Sequence, residues 1–183
     1  MRLFTALDLP PEVVANLEEV LLRLKPAARI QWSRPENLHI TIKFIGELAE
    51  ERLGKLRAAL EAVPRRGAIA VQVRRVGFFP NPHAPRNFWC GIEAPGLDVL
   101  ATENDSAAAA VGVERETRPF SPHLTLARVK DRLPLQPLRE AIAGLPSLEF
   151  GAFEARSFFL YRSTLKPGGS VYTKLAEFPL IPS

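Results

Sequence analysis

The sequence predicts an α+β fold: a bilobal chain with two pseudo-symmetric antiparallel sheets, helices on the outside and a central cleft. Three observations carry this. Strand and helix patterns do not alternate regularly, and no Gly-x-Gly-x-x-Gly follows a strand, which argues against a nucleotide-binding parallel sheet. The stretches before and after about residue 95 each hold a helix-and-strand set. Each set contains one strand reading His, apolar, Thr, apolar: His39-Ile40-Thr41-Ile42 and His123-Leu124-Thr125-Leu126. No linker separates the sets, so residues 1–183 read as a single bilobal unit whose lobes exchange strands.

Arg2 to Asp8 reads as a strand with Phe4 and Ala6 buried. Pro10-Pro11-Glu12 opens a helix, with proline and an acid in the first turn. Val13, Val14, Leu17, Val20, Leu21 and Leu24 recur at helical spacing, and Lys25-Pro26 ends the run. Ile30 to Trp32 is a short strand, and Ser33 to Asn37 is turn-like. Leu38 to Ile45 is the first histidine strand. Strict alternation places Leu38, Ile40, Ile42 and Phe44 on a buried face and His39, Thr41 and Lys43 on the opposite, wet face. Ala49 to Val63 is a second amphipathic helix.

Ala68 to Phe79 and Asn87 to Glu93 form a hairpin around the proline-punctuated loop 80–85. Leu97 to Val111 is an alanine-rich third helix with Gly112 as its stop. Arg118 to Pro122 leads into the second histidine strand, which runs to about Val129. Leu135 to Gly144 is a fourth helix. Leu148 to Leu160 reads as one long strand, Lys166 to Ser170 as a turn, and Val171 to Phe178 as the last strand.

Composition narrows the class. No apolar run reaches the roughly 18 residues that a membrane-spanning helix needs. The N-terminus lacks a signal-peptide layout, because Asp8 arrives before any long apolar stretch. Cys90 is the one cysteine, so no internal disulfide forms and a cytoplasmic location is expected. The formal net charge is +4, and arginine outnumbers lysine. Both suit a phosphate-bearing partner, since guanidinium grips two oxygens at once, but a GC-rich genome is the stronger account of the arginine excess.

The two histidine segments carry the chemistry. Threonine supplies 7 of the 183 residues, so a given histidine meets one two positions later with a chance of about 4%. Two of the three histidines do so. We read the two segments as edge-to-edge strands that line one cleft and present a histidine and a threonine each to a shared phosphate. In-line attack at phosphorus needs a base on the entering oxygen and an acid on the leaving one. Histidine, with an ordinary pKa of about 6.5, serves either task near neutrality. Threonine hydroxyls donate to the non-bridging oxygens, where charge accumulates.

Zinc is the first rival, because His39, His83 and His123 would make a three-histidine site with an open position. But His83 lacks a threonine companion, and no carboxylate stands ready to orient a ligand histidine. No cofactor or metal is therefore expected. A serine-centred triad through Ser121 is weaker, since no nucleophile elbow is present. Arg118 and Phe120 are placed at the cleft. Trp32 and Trp89 have the chemistry to stack bases, although a core role suits each better.

His39 to Glu47 and Arg118 to Arg128 are similar to the two signatures of the 2H phosphoesterases. Within that superfamily the chain resembles the RNA 2′,3′-cyclic phosphodiesterases, also called 2′-5′ RNA ligases. Arg2 to Leu7, Phe78-Phe79-Pro80 and Leu160 to Ser163 add weaker support. The resemblance implies metal-independent hydrolysis of a 2′,3′-cyclic phosphate to a 2′-phosphate, with ligation as the reverse use of the cleft. It makes His39 the general acid on the 3′-oxygen and His123 the base that activates water. It puts Thr41, Thr125 and Arg128 on the phosphate, though strict alternation turns Arg128 away from His123 unless a bulge or twist redirects it. Lys43 has the right parity for substrate binding. The expected partners are RNA ends or nucleotides with a 2′,3′-cyclic phosphate, with no membrane, and the expected state is a monomer. The competing reading is a non-catalytic module that binds RNA ends or nucleotides on the same fold.

Overall fold

The computed structural model describes residues 1–81 and 83–183. The elements follow the order β1 (Arg2–Leu7), α1 (Pro11–Leu24), β2 (Gln31–Trp32), β3 (Ile40–Glu47), α2 (Leu53–Glu61), β4 (Ile69–Phe79), β5 (Asn87–Glu93), α3 (Leu97–Ala109), β6 (His123–Arg128), α4 (Gln136–Ala143), β7 (Glu149–Ala155), β8 (Ser157–Lys166) and β9 (Gly169–Pro179). Pro82, in the loop expected over 80–85, lies outside the described residues.

The strands form two antiparallel sheets, one ordered β3-β1-β8-β9 and one ordered β2-β6-β5-β4-β7. Each sheet takes strands from both sides of residue 95. The single long strand expected over 148–160 is two strands in different sheets: β7 pairs with β4 and β8 pairs with β1. Arg156 is the one residue between them. Ala155 is buried before it and Phe158 and Leu160 after it, so the inward-facing parity changes at the crossing. The expectation that the histidine strands lie edge to edge is also corrected. β3 is an edge of the four-stranded sheet, while β6 sits inside the other sheet between β2 and β5.

The helices bury the stripes that their spacing dictates. α1 buries Val13, Leu17, Val20, Leu21 and Leu24 and packs against β7. Each fully buried leucine stabilises the fold by about 1.5–3 kcal/mol. α3 packs against β3 and α2. It buries Leu97, Leu100, Ala101, Ala107 and Ala108, and the small alanine side chains let the helix lie close. Cys90 is buried in β5, and burial pushes its thiol pKa up to about 12. No helix among the described residues is long and apolar enough to cross a membrane.

Two one-residue slips in pairing set the facing of the residues beyond each histidine. In β3, Thr41 stands opposite Ala6 and Lys43 opposite Thr5, so Ile42 is an extra residue. In β6, Thr125 stands opposite Trp89 and Ala127 opposite Phe88, so Leu126 is an extra residue. Each slip follows immediately after the His-x-Thr triplet. A bulge leaves one residue unpaired and reverses the facing of those that follow.

Candidate active site

The cleft lies between the two sheets and encloses about 480 Å³. His39, Thr41, His123, Thr125 and Arg128 all line it. His39 immediately precedes β3, on the heels of a 3-10 turn over Pro35–Asn37. Its Nδ1 lies 2.7 Å from the Asn37 carbonyl oxygen. A carbonyl only accepts, so Nδ1 carries the proton. Nε2 lies 2.9 Å from Thr41 Oγ1. In the neutral ring Nε2 accepts from that hydroxyl; in the charged ring it donates to it.

The His39 ring is held by aromatic neighbours. Phe4 lies 4.8 Å away, centroid to centroid, and Tyr172 meets it edge-on at 5.2 Å. Burial lowers its pKa below the ordinary histidine value; the hydrogen bond to Asn37 and the charge of Asp8 pull upward, and Arg128 and His123 push down. The net direction is downward, which favours the neutral imidazole in the free protein.

His123 opens β6 and is exposed. Its Nδ1 donates to the Ser121 carbonyl oxygen at 2.9 Å, which leaves Nε2 for the cleft. The two histidines thus use the same device: Nδ1 is tied to a carbonyl two residues earlier, which fixes the ring and its tautomer. Thr125 anchors the opposite wall through its backbone, where its carbonyl accepts from Ser33 Oγ at 2.9 Å.

The bulge at Leu126 places Leu126 and Ala127 both inside, so Arg128 returns to the Thr125 side and enters the cleft. The bulge at Ile42 has the opposite consequence for Lys43. Lys43 is only 7% exposed, and its Nζ donates to Asp105 Oδ1 at 2.7 Å and to the Glu114 carbonyl at 3.2 Å. It faces α3, not the cleft, which corrects its assignment as a substrate contact. Phe44, expected in the core, is 52% exposed and lines the cleft instead.

Arg118 and Phe120 are corrected too. Neither lines the cleft, because the segment between α3 and β6 is tied back to α3. Asp105 Oδ1 accepts from the Glu116 backbone N–H at 2.9 Å, and Glu116 Oε1 accepts from the Thr117 and Arg118 N–H groups. Phe120 packs against the hydrophobic core. Trp32 lines the cleft, with its indole N–H given to the Ala28 carbonyl at 3.0 Å. Trp89 does not; it covers Gly77, where a Cβ would stand 2.3 Å from the indole ring.

Sequence reasoning missed several cleft residues. Arg2, Arg34 and Lys130 line the cleft together with Arg128, and no Asp or Glu among the described residues does. None of these four cations has an ion-pair partner among the described residues, although many other basic side chains do. Arg34 lies across the turn between β8 and β9: a Cβ at Gly168 would come within 2.8 Å of its guanidinium. The same turn is tied down where Asn37 Nδ2 donates to the Ser170 carbonyl at 2.9 Å. Local patterning carries no signal for such residues, because they converge from separate turns. His83 hydrogen-bonds Asn81 in its own loop and does not line the cleft. No cluster of three or more His, Cys, Asp or Glu side chains suited to a metal is present among the described residues.

Known proteins resemble this chain in sequence and in fold. The family described as "LigT like Phosphoesterase" matches residues 7–89 and 92–172, and each matched stretch contains one His-x-Thr triplet. The RNA 2′,3′-cyclic phosphodiesterase of Methanocaldococcus jannaschii is 35% identical over 179 residues, covering 97% of this chain and all of that one. The crystal structure of TT0787 of Thermus thermophilus superposes with a TM-score of 0.82 at 36% identity, covering 98% of both chains. Escherichia coli LigT complexed with 3′-AMP superposes at 0.80 with 27% identity, covering 97% of each. The chain belongs to the LigT-like phosphoesterase family.

Proposed function

We propose that the protein hydrolyses RNA 2′,3′-cyclic phosphate ends to 2′-phosphates by two-histidine acid–base catalysis, without a metal. The observation that carries this reading is the pair of histidines lining one cation-rich cleft, each with Nδ1 committed to a carbonyl, and with His39 Nε2 against Thr41 Oγ1. The relatives named RNA 2′,3′-cyclic phosphodiesterase support the substrate class.

In this scheme His123 Nε2 takes a proton from water as the water oxygen bonds to phosphorus. The bond from phosphorus to O3′ breaks, and His39 Nε2 gives its proton to O3′. The products are a 2′-phosphate monoester and a 3′-hydroxyl, with His39 left neutral and His123 charged. Thr41, Thr125 and Arg128 hold the non-bridging oxygens as charge builds on them. Burial lowers the His39 pKa and so favours the neutral ring in the free protein. The anionic phosphate beside Nε2 reverses this, since a nearby negative charge favours the protonated ring. The substrate therefore loads the acid that it will use.

The test is hydrolysis of a 2′,3′-cyclic nucleotide in excess EDTA, with the product identified as the 2′-phosphate. His39→Ala and His123→Ala are each expected to lose about a hundred- to ten-thousand-fold in kcat. Full activity in either variant refutes the scheme, and loss of wild-type activity in EDTA restores a metal. The second reading is a receptor for nucleotide ends in the same cleft, which the cations lining it without ion-pair partners among the described residues also suit. Tight product binding with no turnover by the wild type would select it.

A further inference from the structure

The sheet face that supplies Thr125 and Arg128 to the cleft continues beyond it. Residues directly opposite one another on neighbouring strands share a face. Thr125 stands opposite Trp89, and Trp89 opposite Gly77. Arg128 stands opposite Asn87, and Asn87 opposite Phe79. Two rows therefore leave the cleft side by side, cross β5 and reach β4. Phe79 lies two strands from Arg128, about 10 Å away at the usual strand spacing. The other face of these strands belongs to the core: Phe88 and Cys90 are fully buried, and Phe78 meets Phe88 at 5.0 Å between ring centroids.

Both rows carry aromatic surface outside the core. Phe79 is 52% exposed. Trp89 is half-buried, and its indole lies flat on the backbone of β4. A Cβ at Gly77 would stand 2.3 Å from Cζ2 and 2.7 and 2.8 Å from the bonded Cη2 and Cε2, which puts it over the ring face and not at the ring edge. Gly77 beneath the indole and Gly91, two residues along β5, have no side chain to cover its outer face. Cations stand at the rim. The Arg86 N–H donates to the Phe79 carbonyl at 2.6 Å, and the Arg86 carbonyl accepts from the Val129 N–H at 2.9 Å. Arg86 is thus pinned between the ends of β4 and β6, near Lys130. Both side chains are exposed and have no ion-pair partner among the described residues. Glu93, an acid further along β5, is paired with Arg74 at 2.8 Å.

We infer that Trp89 and Phe79 form a stacking platform for the nucleotides on the 5′ side of the reacting end, so that the protein prefers a single-stranded RNA chain to a mononucleotide. The inference rests on the phosphodiesterase reading and adds to it a second site, on the sheet face outside the cleft. Flat rings on a sheet face with cations at the rim suit unpaired bases joined by phosphates: a ring takes the face of a base, and a cation takes the backbone charge. The rows of paired residues make this face continuous with the Arg128 wall, so one strand can occupy both.

The experiment compares adenosine 2′,3′-cyclic phosphate with a single-stranded tetranucleotide that ends in the same cyclic phosphate. In the wild type the tetranucleotide should have the higher kcat/KM. Phe79→Ala should lower the tetranucleotide-to-mononucleotide ratio of kcat/KM about 5- to 150-fold, mainly through KM. Phe79→Trp should keep the ratio, and Phe79→Leu, apolar but not flat, should not. A tetranucleotide with abasic sugars before the terminal adenosine should give the wild type the low ratio as well. An unchanged ratio in Phe79→Ala, or an abasic chain that performs like the normal one, overturns the inference. Calorimetry of adenosine 2′-phosphate and of the tetranucleotide ending in a 2′-phosphate runs in parallel on the same proteins. If the wild type turns over neither substrate, the phosphodiesterase reading fails alone, and the platform still stands or falls on whether Phe79→Ala weakens the tetranucleotide but not the mononucleotide.

Discussion

Phe44 and Arg128 occupy equivalent positions: each stands five residues after its histidine, and each is turned into the cleft by a bulge at the residue after threonine. Repetition supplies two histidines and two hydroxyls in similar settings. Divergence at this one position makes the settings unequal, which a site needs if one imidazole is to give a proton while the other takes one.

Arg128→Ala should lower kcat/KM about 10- to 150-fold, the worth of a charge-assisted hydrogen bond to a phosphate oxygen. Arg128→Lys should recover only part of this, because an ammonium is a point charge and cannot grip two oxygens. Steady-state kinetics on a cyclic nucleotide measure both. Full recovery by lysine would show that Arg128 acts through its charge alone.

His39 should titrate below the ordinary histidine range in the free protein, since burial outweighs the upward pulls of Asn37 and Asp8. Adding inorganic phosphate should move its pKa upward, and Asp8→Asn should move it further down. Histidine ring signals followed by NMR against pH report all three shifts. The sign carries into stability. A group that binds its proton less readily when folded costs stability as pH falls below its unfolded pKa of about 6.5, so this histidine should weaken the fold in mild acid.

Lys43→Ala should destabilise the protein by about 3 kcal/mol in urea denaturation, because Asp105 loses its partner in a largely buried pair. Burial raises the Asp105 pKa, but the hydrogen bonds from Lys43 and the Glu116 N–H and the charges of Lys43 and Arg115 outweigh it and hold the carboxyl below its usual range. That stability is present above the unfolded carboxylate pKa of about 3.9 and is lost as pH falls through the lower folded value. The variant's deficit should therefore shrink in strong acid. A deficit in substrate affinity with unchanged stability would return Lys43 to the cleft.

Arg34 and Lys130 line the cleft without ion-pair partners among the described residues. Arg34→Ala and Lys130→Ala should weaken a short RNA bearing a 2′,3′-cyclic phosphate more than they weaken the mononucleotide. The slope of log KM for the RNA against log salt should flatten by about 0.7 for each lost phosphate contact. Equal effects on the two substrates would restrict these cations to the reacting phosphate.

By itself the sequence determined the parts list. Periodicity located four helices and most strands, and the repeated His-x-Thr triplet picked out two histidines and two threonines that do line one cleft. These are local properties, written in residue type and spacing. The tertiary structure alone decided what lies past each triplet. A bulge is a slip between two strands, fixed by how β1 meets β3 and how β5 meets β6, and neither strand announces it in its own alternation. Lys43 was thereby carried into an ion pair under α3, while Phe44 and Arg128 were carried into the cleft. The same holds for Arg2, Arg34 and Lys130. Their place in the site depends on which distant elements pack together, and that is settled only when the sheets close on one another.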